Sequence, residues 1–288
     1  MKAITILTLN AGLLDVEILG HKVLESAPFE KERLAALPTE LLGTDADIIA
    51  LQEVYEQSHR SFLIKELRGK YPHHFYSRQR RLFRLEDSLI IFSKYPIVRR
   101  KVIAYTNSVF DERILTYKGV LVAKIHSDVF GSISVFNTHT VTGGIRDQEN
   151  RTVEDVRAMQ IEEMIRGVEN SKGHDIKIIV GDMNTGPEVA KENYDMLLNR
   201  GYIDVVALKH PYTKKKTWDP RNVLNREGHY SKSPPQRIDH IFLRESDVTK
   251  LKIVKAEIIL DKPTIRVVGG GKITISDHAG VLVTFSRV

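Results

Sequence analysis

The chain of 288 residues contains no cysteine. Disulfides, thiolate metal sites and a cysteine nucleophile are therefore excluded. There is one tryptophan, and the 10 prolines and 18 glycines are spread along the chain. No internal repeat, linker-like tract or low-complexity block interrupts it. One domain spanning residues 1–288 is the expectation. No run approaches the roughly 18–20 apolar residues needed to cross a bilayer. Residues Met1 to Leu14 are apolar after one lysine and could pass for a signal peptide. No small-residue cleavage site stands close behind Leu14, and the run holds Asn10, so it is read as a strand. A soluble, cytoplasmic protein is expected, with peripheral membrane contact left open.

What is present is an ordinary globular composition, 42% hydrophobic and 28% charged. Lys and Arg outnumber Asp and Glu by 43 to 37, giving a formal charge of +6. Such a surface favours anionic partners: phosphate esters, nucleic acid or acidic headgroups. β-branched runs bounded by turn residues predict strands at Ala3–Leu9, Asp47–Gln52, Ser88–Ser93, Gly119–Ile125 and Ile133–Thr138. Further ones follow at Ile176–Val180, Ile238–Leu243, Leu251–Leu260 and Ala279–Phe285. Helical periodicity predicts Glu30–Leu42, Gln57–Leu67, Val153–Val168 and Val189–Leu198. Strands dominate and helices are interspersed. The fold class expected is α/β, two β-sheets packed face to face and flanked by helices.

Chemically competent side chains cluster where the apolar runs stop. "LTLN" ends at Asn10, "IIALQEV" carries Glu53, "VFNTHT" carries His139, and "IIVGDMN" carries Asp182 and Asn184. "QRIDHIF" carries Asp239, and "ISDHAGV" carries Asp277 and His278. Each is weak alone, since Gly, Asp and Asn favour turns on their own account. The full set in this order, each at the end of a hydrophobic strand, is improbable by chance. Residues so placed can converge in a cleft at one edge of a sheet stack.

The joint pattern, from Asn10 to His278, resembles the endonuclease/exonuclease/phosphatase superfamily, whose fold is the DNase I-like four-layer α/β sandwich. The resemblance implies a Mg²⁺-dependent phosphodiesterase, with Mn²⁺ as the alternative ion. It makes Glu53 the metal ligand, with Asn10 beside the metal. Carboxylates are hard oxygen ligands suited to Mg²⁺. His278 is then the general base, oriented by Asp239 rather than by its neighbour Asp277, which would lie near the metal through water. Asp182 would position the attacking water, Asn184 would bind a phosphate oxygen, and His139 would donate to the phosphate as its charge builds up. Asp87, with Glu86 as alternative, stands where an acidic orienter of His139 belongs. The remaining histidines read as surface or packing residues.

Lys118-Gly119 and "TWDPRNVLN", with Trp218 and then Asn222 and Asn225, resemble the neutral sphingomyelinase branch. Lys118 and Trp218 are accordingly expected to help bind substrate, and a phosphodiester lipid is preferred to nucleic acid. The tyrosyl-DNA phosphodiesterase branch shares the Thr-Trp-Asp segment and an arginine such as Arg237 before the late aspartate, and is the runner-up. An inactive binding module of the same fold is a third reading. Basic stretches, Arg78, Arg80, Arg81 and Arg84 around Leu82 and Phe83, and Lys214 to Lys216, suit either DNA or acidic lipid. The loop Tyr105–Tyr117 could offer an apolar membrane contact. Val267–Lys272 reads as a mobile loop or a plain hairpin.

Overall fold

The computed structural model describes residues 3–18, 21–25, 27–77, 88–109, 118–142, 151–173, 175–227 and 230–288. Continuous apolar runs fold here as strands covered on both faces. One six-stranded sheet runs, in spatial order, β13 (Leu251–Ile259), β16 (Gly280–Arg287), β1 (Ala3–Leu13), β4 (Ile48–Val54), β6 (Ile90–Ser93) and β5 (His73–Tyr76). The other runs β11 (Tyr202–Asp204), β12 (Asp239–Arg244), β10 (Ile176–Asp182), β9 (Gly131–His139), β8 (Gly119–Ser127) and β7 (Ile97–Ala104). Two small hairpins complete the strands, β2 (Asp15–Ile18) with β3 (His21–Glu25), and β14 (Ile265–Arg266) with β15 (Lys272–Ile273).

Side-chain alternation builds the layers. On β1 and β4, Ile4, Ile6, Ile48 and Ala50 face the second sheet, where they meet Val135, Ile178 and Val180. Their neighbours Leu7, Leu9, Ile49 and Leu51 face outward, onto Leu37 and Leu41 of α1 (Glu30–Gly43) and Leu63 and Leu67 of α2 (Gln57–Leu67). On the far side, Val120, Phe136 and Ile179 pack on Ile161, Ile165 and Val168 of α3 (Arg151–Glu169) and Leu197 of α4 (Lys191–Asn199). Helix, sheet, sheet, helix is the expected sandwich. The short helices α5 (Val205–Lys209) and α6 (Glu245–Val248) were not foreseen. Among the described residues no helix is long and apolar enough to cross a membrane.

The two sheets share one design. Each has a single parallel pair at its centre, β1 with β4 and β9 with β10, and antiparallel neighbours on both sides. The C-terminal ends of four central strands therefore lie at one edge of the sandwich. The antiparallel neighbours β12 and β16 begin at that same edge.

A candidate active site at the common strand edge

The edge collects the expected residues from six strands. Asn10 lies on β1, Glu53 on β4, His139 ends β9, Asp182 ends β10, Asp239 starts β12, and Asp277 and His278 precede β16. Register puts Asp182 level with both His139 and Asp239. Beneath them, Gln52 spans the sheets. Its Nε2 donates to Thr8 Oγ1 at 3.0 Å and to Asn137 Oδ1 at 2.7 Å, and Asn137 donates back to the Leu51 carbonyl at 3.0 Å. All three side chains are fully buried, so they fix the sheets to one another directly under the site.

Two backbone positions aim the carboxylates. Glu53 takes φ 56°, a region costly for a residue of its type, and so turns out of the strand direction. Gly181 has φ 136°, and a Cβ there would lie 1.9 Å from the Thr138 carbonyl oxygen. Only glycine lets β9 and β10 close up just before Asp182. Gly12 does similar service for Asp277, whose Oδ1 would be 2.3 Å from an added Cβ. The Arg33 guanidinium, fully buried, clasps that turn by donating to the carbonyls of Ala11 at 2.9 Å and Gly12 at 2.7 Å.

Asn10 joins the two halves of the acidic centre. Its Nδ2 donates to Glu53 Oε1 and to Asp182 Oδ2, each at 3.0 Å, while its Oδ1 accepts from the Gly12 amide at 3.0 Å. Asp182 Oδ1 accepts from the Asn184 amide at 2.9 Å. Asn184 sits at φ 47°, which Asn tolerates well, and donates its side-chain amide to the Thr140 carbonyl at 3.2 Å. The same carbonyl accepts from Lys118 Nζ at 2.7 Å, which sets that cation beside the His139 loop.

His278 and Asp239 form a buried dyad, with Nδ1 2.9 Å from Asp239 Oδ2. His278 Nε2 faces the acidic centre, 3.9 Å from Asp182 Oδ2 and 3.9 Å from Asp277 Oδ2. Burial alone would lower the His278 pKa, but Asp239, Asp277 and Asp182 together carry it well above the usual value. Burial, reinforced by Asp239, raises the Asp182 carboxyl to about 7. His139 goes the other way. Burial, with Lys118 and His278 adding like charge, holds it well below the ordinary histidine range, so it is neutral. Its Nε2 lies 3.7 Å from Asp182 Oδ2 and 3.9 Å from Glu53 Oε1. Its buried Nδ1 has no hydrogen-bond partner among the described residues. Asp87 and Glu86, the expected orienters, lie outside those residues, as do Arg78, Arg80, Arg81 and Arg84 and positions 110–117.

The centre suits a hard divalent cation. Four carboxylates, Glu53, Asp182, Asp239 and Asp277, share one edge, and Asp239 Oδ1 is buried without a partner among the described residues. Asp182, Asp239 and His278 bring ligand-type atoms within 4.8 Å of one another. Oxygen donors in this surplus fit Mg²⁺ or Mn²⁺ rather than a thiophilic metal.

The Thr-Trp-Asp segment turns out to be scaffolding for this edge. Thr217 Oγ1 accepts from the amides of Ile238 at 3.0 Å and Asp239 at 3.1 Å. Asn222 and Asn225 donate to the carbonyls of Ser276, at 3.1 Å, and Asp277, at 2.9 Å, and so hold the Ser-Asp-His turn. Ser276 Oγ reaches the Asn10 carbonyl at 2.6 Å and accepts from the His278 amide at 3.1 Å. Trp218 is only 7% exposed, so little of its ring is open to a ligand. Lys215 and Lys216 are engaged with Asp261 and Glu188.

A second buried network escaped the sequence reading. Asp204 accepts from Arg237 and from His240 Nδ1 at 3.0 Å, and it caps α5 through the amides of Val206 and Ala207. His240 Nε2 donates in turn to the Thr185 carbonyl at 2.9 Å, one residue past Asn184. Burial would raise the Asp204 carboxyl, but His240 and Arg237 hold it well below the usual range. Alternation across β12 thus gives Asp239 to the site and His240 to its support. A repeated D-H dipeptide in the sequence, 239–240 and 277–278, was the available signal.

The model of the endonuclease/exonuclease/phosphatase family matches residues 7–278. A putative neutral sphingomyelinase of Drosophila melanogaster is 24% identical over 289 residues, covering 96% of this chain. The chain spans 60% of the length of that relative. Beta toxin of Staphylococcus aureus, in a mutant crystal structure with bound magnesium ions, superposes with a TM-score of 0.75 at 19% identity, covering 98% of this chain and 99% of the toxin. TDP2 of D. rerio, complexed with a single-strand DNA product, gives 0.72 at 17% identity, covering 99% and 100%. At these identities the two structures speak for the fold alone.

Proposed function

The chain belongs to the endonuclease/exonuclease/phosphatase family, and from that premise we propose that it is a Mg²⁺-dependent phosphodiesterase acting on a phosphodiester lipid of the sphingomyelin type. Residues 1–288 act in it as one catalytic domain. The observation that carries the hydrolytic reading is the His278–Asp239 dyad at 2.9 Å, its free Nε2 turned towards Asp182 and the acidic centre.

Glu53 would hold the metal, with Asn10 steadying its carboxylate. When bound, the ion supplies charge neutralisation on the phosphate and stabilisation of the departing oxygen. The remaining roles fall to the protein. Asp239 fixes the proton of His278 on Nδ1, which leaves Nε2 to take a proton from water. Asp182, held by Asn10 and the Asn184 amide, orients that water. Neutral His139 keeps Nε2 near the same centre, where an N–H can donate to a phosphate oxygen as its charge grows. Asn184 and Lys118 add a polar and a cationic contact on the Thr140 side. Asp277 stands 3.9 Å from His278 Nε2 and acts on it through charge.

Two features support a lipid headgroup. The similarity to the fly protein runs along 96% of the chain, and the Lys118-Gly119 pair combined with the Thr217–Pro220 segment resembles the sphingomyelinase branch. The likeness to TDP2 is what favours the second reading, cleavage of a nucleic-acid phosphodiester. The test of the hydrolytic core is turnover of bis-p-nitrophenyl phosphate with Mg²⁺ and with chelator, in wild type and His278→Ala. The proposal expects metal-dependent turnover and a loss of about 10²–10⁴-fold in the variant. Chelator-insensitive turnover, or a variant as fast as wild type, contradicts it.

A further inference from the structure

The two sheets end side by side on one flank, β5 closing the first and β7 the second. β7 carries Arg99, Arg100 and Lys101 in succession, all exposed. Among the described residues none of the three makes an ion pair. Register sets Arg99 level with another cation, Lys124, whose charge is met by Asp175 at 2.8 Å. Like charges facing each other across a ladder are unfavourable. Edge strands do use charge to block pairing with other chains. One lysine accomplishes that, and three cations in a row exceed the need.

Between the two edges lies a cleft of about 620 Å³. Arg100 lines it together with His73, His74, Phe75, Tyr76 and Val102. Arg100 and the apolar side chains of Phe75 and Val102 thus meet in one groove, Arg99 and Lys101 alternate to the other face of β7, and Val98 on the same strand is 58% exposed. That combination suits an amphipathic anion, with phosphate at Arg100 and carbon on Phe75 and Val102.

We propose that this flank docks the protein on an acidic phospholipid surface, a proposal that rests on the lipid reading above for its purpose. β7 runs from the cations to Ala104, which pairs with Gly119 next to Lys118. At about 3.4 Å per residue the stripe stands roughly 10–17 Å from that end. A membrane held there lies beside the catalytic edge without covering it. Duplex nucleic acid fits less well, because its binders neutralise many phosphates along a track. These three cations span only about 7 Å, and Arg100 alone of them stands over the cleft.

The experiment compares wild type with the triple variant Arg99→Glu/Arg100→Glu/Lys101→Glu by sedimentation with phosphatidylcholine vesicles, with and without phosphatidylserine. Wild type should prefer the phosphatidylserine vesicles at about 0.05 M salt and lose the preference near 0.5 M. The variant, which reverses three charges, should bind them more weakly by well over about 100-fold. Single Gln substitutions at the three positions should each account for about a fivefold part, which protects the result against misfolding of the triple variant. Bis-p-nitrophenyl phosphate turnover should be unchanged, since none of the three touches the site. Equal sedimentation of variant and wild type, or no preference for phosphatidylserine, overturns the proposal. So does a loss confined to single-stranded or duplex DNA binding. Sphingomyelin turnover in detergent micelles is read separately, so failure of the substrate reading is distinguishable from failure of the docking surface.

Discussion

Replacing Asp239 by Asn tests the dyad with the least disturbance. The two side chains have the same shape, and position 239 is fully buried. The Thr217 hydroxyl would still accept the backbone amide. What changes is the partner of His278 Nδ1, now 2.9 Å from a carboxylate oxygen. If the new amide presents its NH₂, the imidazole proton moves to Nε2 and the base is lost. If it presents its oxygen, the tautomer survives, but the negative charge that steadies the imidazolium is gone. The second case sets a loss near 10²-fold and the first near 10⁴-fold, or about 3–5 kcal/mol of barrier. Residual activity should also change its pH dependence. As a base His278 works only when neutral, so activity rises with pH through its pKa. Asp239 is the foremost carboxylate raising that pKa, so its removal should move the acidic limb to lower pH. The assay is turnover of bis-p-nitrophenyl phosphate at saturating Mg²⁺ across pH, with thermal unfolding as the check on folding. A folded variant within tenfold of wild type, or an acidic limb that moves up, would refute the dyad.

Further expectations follow from the same geometry. Asp277→Asn should cost less than Asp239→Asn, because its carboxylate is beyond hydrogen-bond reach of His278, and it should also shift the acidic limb downwards; the reverse ranking transfers the orienting role to Asp277. Glu53→Gln should raise the Mg²⁺ concentration needed for half-maximal rate by at least about 10- to 100-fold, with unfolding temperature preserved; an unchanged Mg²⁺ titration removes Glu53 as the ligand. Asp204→Asn should destabilise by about 3 kcal/mol or more, since it leaves Arg237 and His240 buried without their anion. Its carboxyl is depressed in the folded state, so the contribution is present above the unfolded value of about 3.9 and fades as pH falls below it. Denaturant melts at pH 7 and pH 3 check this, and the gap between variant and wild type should narrow at the lower pH.

The central strands were legible because their apolar runs are buried on both faces and stop where polar residues begin. Asn10, Glu53, His139, Asp182, Asp239 and His278 are brought together because parallel pairs end, and antiparallel neighbours start, at one edge. That topology is not written in any single motif. β7 escaped because "IVRRKVIA" is an edge strand whose solvated positions carry charge in place of a clean alternation. β5 and the β2–β3 hairpin escaped because each strand is only four or five residues long. Val267–Lys272 overlaps the β14–β15 hairpin, the simpler of its two readings. The Thr-Trp-Asp segment was expected to contact substrate through Trp218 because it resembles the sphingomyelinase branch. Only tertiary pairing revealed that Thr217, Asn222 and Asn225 spend their donors and acceptors on the backbone around Asp239 and His278. Asp204 was invisible for a similar reason. Its partners Arg237 and His240 lie 33 and 36 residues away.

Whether the chain is a Mg²⁺-dependent hydrolase of a phosphodiester lipid is decided by one hydrolysis panel. Sphingomyelin in mixed micelles, its lyso-analogue, a 5′-tyrosyl oligonucleotide, abasic DNA, plain DNA and inositol phosphates are offered to the same enzyme, with Mg²⁺ and with chelator. Release of phosphocholine from the choline lipids, abolished by chelator, is expected at enzyme concentrations that leave the DNA substrates intact. Cleavage of tyrosyl or plain DNA with sphingomyelin untouched would contradict it.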